Sequence, residues 1–166
     1  MKNKHKTMQL LILIVSASIL SGQQQVTTNL DVTAVVPEAV TVSATTLDFG
    51  ILDAVNTTDG TATITVNASP AINYHIALDA GLNYESPTRN VEFDKELIQY
   101  FLYKDAAYTE EWGDSDYANT YPLGSSAGPF LGTGAEQDYT VYGRAGNSVG
   151  LMTGTYTDTV TVTVQF

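Results

Sequence analysis

The last twelve residues, at positions 155–166, alternate between apolar side chains and threonines for most of their length. One face of this run carries Tyr156, Val160, Val162, Val164 and Phe166. Alternation with a period of two predicts a half-buried β-strand. No further strand follows in the sequence, so an antiparallel sandwich that ends with this strand has an unfinished edge. Because exposed edges of apolar strands pair with other chains, we expect a second segment to lie against this one.

A second run with the same alternation lies near the N-terminus, at positions 26–36, and Pro37 ends it. One face of this run carries Val26, Thr28, Leu30, Val32, Ala34 and Val36, and the other face carries Thr27, Asn29, Asp31 and Thr33. Periodicity alone leaves two interpretations open. The run is either the first strand of its own domain or a strand that pairs outside that domain.

Five further segments are predicted to be strands, because β-branched and aromatic residues alternate or dominate in them. They cover positions 40–44, 62–68, 72–78, 97–103 and 139–143. A short turn at Ser69 and Pro70 predicts that the second and third of these strands form a hairpin. Loops are expected at positions 53–60, 79–95 and 105–137. No long segment has helical periodicity, so we expect an all-β fold, and the strand candidates suffice for an immunoglobulin-like sandwich.

The charge distribution restricts both the location and the partners of the protein. Lys2, Lys4 and Lys6 precede an apolar stretch at positions 10–20 that is too short to span a bilayer. This arrangement predicts a secretory signal peptide at positions 1–22. The whole chain has a net charge of −11, and removal of the leader leaves four basic residues against 18 acidic ones, a net charge of −14. Such a surface repels phosphate, which excludes nucleic acid as a partner.

The sequence predicts neither catalysis nor a metal site. It contains no nucleophile motif, zinc spacing or phosphate-binding loop, so we expect no enzymatic activity and no cofactor. Carboxylates gather in one predicted loop, at Asp105, Glu110, Glu111, Asp114 and Asp116. The spacing of Asp114 and Asp116 is similar to the start of a calcium loop, but Ala118 occupies the next ligand position. We therefore interpret the cluster as a solvated acidic loop.

Several short blocks, occurring in a fixed order, resemble the spore coat protein U domain family of secreted pilins of the archaic chaperone–usher type. The blocks are TVSA at 41–44, LDFG at 47–50, YFLY at 100–103, DAAYT at 105–109, WGD at 112–114, YTVYGR at 139–144 and GTYTDTVTVTV at 154–164. The resemblance implies an incomplete immunoglobulin-like β-sandwich lacking its last strand. It also implies an N-terminal donor-strand extension at positions 23–38 and a pilin domain at positions 39–166.

The resemblance assigns roles to the two alternating runs. Residues 26–36 of one subunit would fill the groove beside residues 155–166 of its neighbour, after a periplasmic chaperone has covered that groove. The implied partners are neighbouring pilin subunits, the chaperone and an outer-membrane usher. The implied function is that of a pilus subunit of a Gram-negative bacterium, exported to the periplasm and then to the cell surface, which supports surface attachment and biofilm formation.

The chain departs from the family pattern at one pair of positions. The family usually carries a disulfide, and its cysteines would fall at Val40 and Ala68, whereas this sequence contains no cysteine. A disulfide of this kind stabilises a small secreted domain by about 2–5 kcal/mol. The resemblance therefore implies that stability depends more on the core and on the donated strand.

A self-contained protein is the alternative. Tyr108, Trp112 and Tyr117 share the predicted loop at 105–137 and could stack on a sugar, although anchoring of these rings in the core or the loop is favoured. In that case the protein is a secreted carbohydrate-binding β-sandwich, and residues 26–36 are its own first strand.

Overall fold

The computed structural model describes residues 25–166, and eight strands form within them. The strands are β1 (Val40–Ala44), β2 (Thr58–Ala68), β3 (Asn73–Leu78), β4 (Arg89–Phe93), β5 (Glu96–Tyr103), β6 (Ala127–Leu131), β7 (Glu136–Ala145) and β8 (Val162–Gln165). The chain divides into two units, Met1–Val35 and Val36–Phe166, and all eight strands belong to the second. Within the described part of the chain, no helix is long and apolar enough to cross a membrane.

The strands form two antiparallel sheets that share one core. A five-stranded sheet has the order β1-β2-β7-β5-β4, and a three-stranded sheet has the order β6-β3-β8. Ile64 and Val66 of the first sheet and Tyr74 and Ile76 of the second are at most 1% exposed and belong to the same hydrophobic cluster. The prediction of an all-β sandwich is therefore confirmed.

Five predicted strands coincide with β1, β2, β3, β5 and β7. In β2 the alternation places Ile64, Val66 and Ala68 in the core, while the intervening Thr65 and Asn67 are only partly buried. Burial of one face of a pleated strand explains why period-two patterns located these elements. Two boundaries differ, because β2 begins at Thr58 and β7 at Glu136, both inside segments that were expected to be loops.

The predicted hairpin between β2 and β3 is wrong. β2 pairs with β1 and β7, whereas β3 pairs with β6 and β8 in the other sheet. The intervening turn carries the chain across the sandwich, with Ala71 at a φ of 67°. Alternation specifies which face of a strand is apolar and contains no information about the neighbouring strand, so a short turn was not sufficient evidence for pairing.

Two strands lie in segments that were expected to be irregular. β4 lies within positions 79–95 and pairs with β5, and β6 lies within positions 105–137 and pairs with β3. β4 contains Arg89 and Glu92, and β6 contains Gly128 and Pro129. Charged residues, glycine and proline are depleted in strands, so tertiary pairing overrides local preference in both elements.

The prediction of one continuous strand over positions 155–166 is also wrong. Thr157 exchanges two backbone hydrogen bonds with Glu92 of the five-stranded sheet, at 2.9 and 3.1 Å. Only Val162–Gln165 then forms a strand, and it pairs with β3 of the three-stranded sheet. This segment therefore passes from one sheet to the other before it reaches β8.

Residues 25–39 form no strand. Val26 is 95% exposed, Leu30 is 87% exposed and Val32 is 83% exposed. In the structure, this run is not the first strand of its own sandwich. Pairing outside the domain stays a prediction, and the proposed signal peptide at positions 1–22 lies outside the described residues.

Candidate strand-binding site

The outer edge of β8 is unpaired among residues 25–166. β8 lies at one end of the three-stranded sheet and hydrogen-bonds only to β3. β1, one of the two edge strands of the five-stranded sheet, lies close to β8 across the sandwich but does not pair with it. The two sheets are therefore not joined on this side. A strand with one unpaired row of N–H and C=O groups can accept a further strand, and we call the outer edge of β8 the acceptor edge.

Four of the five predicted edge residues lie together. Val160, Val162 and Val164 are partly buried and pack against the core cluster. Phe166 follows β8 and is 68% exposed. Apolar side chains that are incompletely covered at an open edge can be buried further by an added strand, so the side chains as well as the backbone fit strand addition.

Tyr156 lies apart from the other four. Its ring packs against Phe93 at the end of β4, with 5.6 Å between the ring centroids. Its hydroxyl donates a hydrogen bond of 2.7 Å to Glu96, which also accepts one from the backbone N–H of Met152. This bond raises the pKa of Tyr156 to about 12, and the same two bonds lower the pKa of Glu96. Tyr156 thus fastens the segment before β8 to the five-stranded sheet.

Two aspartates that the sequence analysis missed position the start of β8. Asp158 accepts hydrogen bonds from the Tyr100 hydroxyl at 2.6 Å and from the Asn83 N–H at 3.0 Å. Asp79 accepts one from the Thr161 N–H at 2.8 Å. Burial, followed by the bond to Asp158, raises the pKa of Tyr100. An aspartate inside an alternating run of valines and threonines was the signal that could have identified the first of these anchors.

The acceptor edge ends at an open depression of about 540 Å³. Phe166 lines it, together with the turn between β2 and β3 and the residues that lead into β1. The lining residues are Val36, Pro37, Glu38, Ser69, Pro70, Ala71, Ile72, Asn73 and Phe166. The C-terminal end of β8 and the N-terminal end of β1 therefore share one pole of the sandwich.

The acidic loop is organised by its own carboxylates. Buried Asp114 accepts hydrogen bonds from Thr120 and from the Tyr121 N–H, and Asp116 accepts two from Ser126. The bonds from Ser126 lower the pKa of Asp116. Within residues 25–166 no group of three or more acidic, histidine or cysteine side chains is arranged to hold a metal ion. These carboxylates thus act as acceptors for the loop backbone.

The three aromatic residues of this loop do not form one surface. Trp112 is 2% exposed, and its Nε1 donates a hydrogen bond of 2.8 Å to the Ile76 carbonyl. The Tyr108 ring lies 3.8 Å from the Arg144 guanidinium on the five-stranded sheet, while Tyr117 is 57% exposed. Trp112 is a core residue, so the suggested sugar-stacking platform lacks its central ring.

Val40 and Ala68, the positions of the disulfide that the resemblance implied, lie directly opposite each other in β1 and β2. The Cα atoms of opposed residues in antiparallel strands are about 4.5–5.5 Å apart. Disulfides span about 4.4–6.8 Å between Cα atoms. The backbone thus places the two positions within bridging distance.

Val40→Cys combined with Ala68→Cys is expected to form a disulfide under oxidising conditions. The free energy of unfolding should rise by about 2–4 kcal/mol, because the cross-link restricts the unfolded chain. Urea unfolding with and without reductant measures the gain. Thr41→Cys with Ala68→Cys is the matched control, since Thr41 pairs with Asn67. Free thiols persisting in the first variant would contradict the opposed geometry.

Two sheets around one core, with an edge at β8 that no strand among residues 25–166 covers, define this protein as an incomplete all-β sandwich. The sequence profile of the Spore Coat Protein U domain matches residues 26–163. The chain therefore belongs to the Spore Coat Protein U domain family, and the resemblance found in the sequence blocks is confirmed. Comparison with curated proteins gives no match.

A solved structure shares the fold. It is the crystal structure of the CsuC–CsuE chaperone–tip adhesion subunit pre-assembly complex from the archaic chaperone–usher Csu pili of Acinetobacter baumannii. The TM-score is 0.58 at 20% sequence identity, over 79% of the present chain and 40% of the matched chain. The present protein thus spans less than half the length of that chain, and the likeness concerns the fold.

Proposed function

We propose that this protein is a structural subunit of a chaperone–usher pilus and that it polymerises by donor-strand complementation. The observation that carries the proposal is the unpaired outer edge of β8, with Val162 and Val164 only partly buried beside it. The supporting observations are membership of the family and a sandwich fold shared with a complex from such pili. The proposal assigns residues 26–36 of a neighbouring subunit to this edge.

The composition of the extension fits this role. Its alternating face carries Val26, Thr28, Leu30, Val32, Ala34 and Val36. Burial of the large apolar side chains in this set is worth roughly 5–10 kcal/mol. Whole domains are stable by only about 5–15 kcal/mol, so a filled edge accounts for a large share of the stability. Each subunit both donates and accepts a strand, and such a head-to-tail contact generates a filament.

The same edge predicts how the subunit is handled before assembly. An unpaired apolar edge promotes aggregation, so a periplasmic chaperone is the partner expected to cover it until the next subunit arrives. Export to the periplasm, passage through an outer-membrane usher and display on the cell surface follow from this assembly route. Surface attachment and biofilm formation are then properties of the fibre.

Charge on the proposed donor strand should prevent assembly. Leu30→Asp with Val32→Asp is expected to reduce polymer formation at least 100-fold, because burying an unpaired carboxylate costs more than about 3 kcal/mol. Thr27→Asp with Thr33→Asp is the matched control, since it adds the same charge to the opposite face. Polymer mass is measured by size-exclusion chromatography of the mature protein produced with its chaperone. Equal polymerisation of both variants would contradict the proposal.

A further inference from the structure

Two loops at one pole of the sandwich are joined by hydrogen bonds. The backbone N–H of Ser148 donates to the Asp53 carbonyl at 3.0 Å, and the Asn147 side-chain amide donates to the Val55 carbonyl at 3.1 Å. The first loop, at positions 50–57, precedes β2, and the second, at positions 146–152, follows β7. We call these two segments the apical loops.

The apical loops expose several large apolar side chains. Ile51 is 97% exposed, Val55 is 74% exposed, Val149 is 67% exposed and Met152 is 44% exposed. Scattered single apolar residues on a surface need no explanation. These four, however, lie on two loops that are hydrogen-bonded to each other, and adjoining exposed apolar residues mark an interaction site.

The pole that carries the apical loops is opposite to the pole at which β1 begins. Thr58 at the start of β2 pairs with Ala145 at the end of β7, which places the apical loops at that pole. Val40 at the start of β1 pairs with Ala68 at the other end of β2. Phe166 lies at the Val40 pole, so β8 runs from the apical pole towards the Val40 pole.

The direction of β8 determines which part of a neighbour meets the apical loops. Every named strand pair in both sheets is antiparallel, so we take the donated strand to be antiparallel to β8. The donated strand then ends, at Val36, beside the start of β8. Only three residues connect it to β1 of its own domain, and they span about 10 Å at most. The body of the donating subunit must therefore sit against the apical pole.

We propose that the apical loops form a second contact between consecutive subunits, in addition to the donated strand. The partner is a second copy of this chain, and the facing surface is its Val40 pole, where Pro70 and Ala71 are exposed and Leu131 is 55% exposed. Burial of Ile51 and Val149 against that pole would stiffen the joint between subunits. This inference rests on the proposed donor-strand function.

The test separates contact between bodies from strand binding. Ile51→Asp with Val149→Asp is expected to make assembled fibres of the mature chain dissociate about tenfold faster in denaturant, equivalent to about 1.4 kcal/mol. A synthetic peptide of residues 24–38, loaded by refolding the subunit in excess peptide, should leave the variant and the parent at the same rate. Tyr117→Asp with Leu123→Asp is the matched control. Tyr117 and Leu123 are both exposed, and both precede β6, which is the edge strand opposite to β8 in the three-stranded sheet.

Fibres of the apical variant that persist as long as those of the parent overturn the second contact and leave the donor-strand proposal intact. Faster release of the peptide as well also overturns it, because the substitutions would then act on the acceptor edge. A peptide that fails to bind the parent subunit removes the donor-strand proposal, and the second contact with it. Faster fibre dissociation confined to the apical variant, with unchanged peptide release, supports the inference.

Discussion

Relocating residues 26–36 to the C-terminus behind a flexible linker is expected to convert the subunit into a soluble, stable monomer. The relocated strand would follow Phe166 and lie antiparallel to β8, which hydrogen-bonds only to β3 within the described chain. The added burial, roughly 5–10 kcal/mol, should raise the melting temperature by at least about 15 °C. Thermal unfolding and size-exclusion chromatography measure the two effects.

Variants of the relocated segment test whether the apolar face produces the gain. Leu30→Asp with Val32→Asp, within the relocated segment, should remove most of the added stability. Thr27→Asp with Thr33→Asp in the same segment should preserve it, because these residues face away from the groove. A relocated chain no more stable than the parent would show that residues 26–36 are a tail and not a donor strand.

Arg89→Met should strongly destabilise the protein. Arg89 is fully buried, and its guanidinium donates three hydrogen bonds of 2.8–2.9 Å to the carbonyls of Leu78, Asp79 and Trp112. Its Cζ also lies 3.7 Å from the centre of the Tyr121 ring. Loss of these bonds leaves buried carbonyls without a donor, so the expected cost is about 3–5 kcal/mol in the free energy of unfolding. Urea unfolding of the purified protein measures this cost.

Arg144→Met is the control for the Arg89 prediction. Arg144 forms an ion pair with Asp59 at 2.7 Å, and both side chains remain more than a third exposed. Exposed ion pairs contribute about 0.2–1 kcal/mol, so this variant should remain folded. If both variants lose the same amount of stability, the carbonyl bonds of Arg89 do not hold the sheets together. Burial lowers the pKa of Arg89, whereas the hydrogen bond with Asp59 raises the pKa of Arg144.

Local patterns were sufficient to predict the fold class and the family. Alternation in β2 and β7 identified strands with one buried face, and ordered sequence blocks identified the domain that the family comparison confirms. Alternation also singled out the two runs at positions 26–36 and 155–166. These inferences succeeded because the period of side-chain direction along a strand is a property of the local backbone.

Pairing and anchoring were decided by the tertiary structure. The turn after Ala68 joins strands in different sheets, and Arg89 lies at the start of a strand whose polar sequence predicted a loop. Asp158 interrupts the last run because Tyr100 and Asn83 hold its carboxylate. These contacts join residues that are between 58 and 75 positions apart in the chain. The energy of such pairings depends on the whole core, so the sequence determined which faces are buried and only the tertiary structure decided which strands are neighbours.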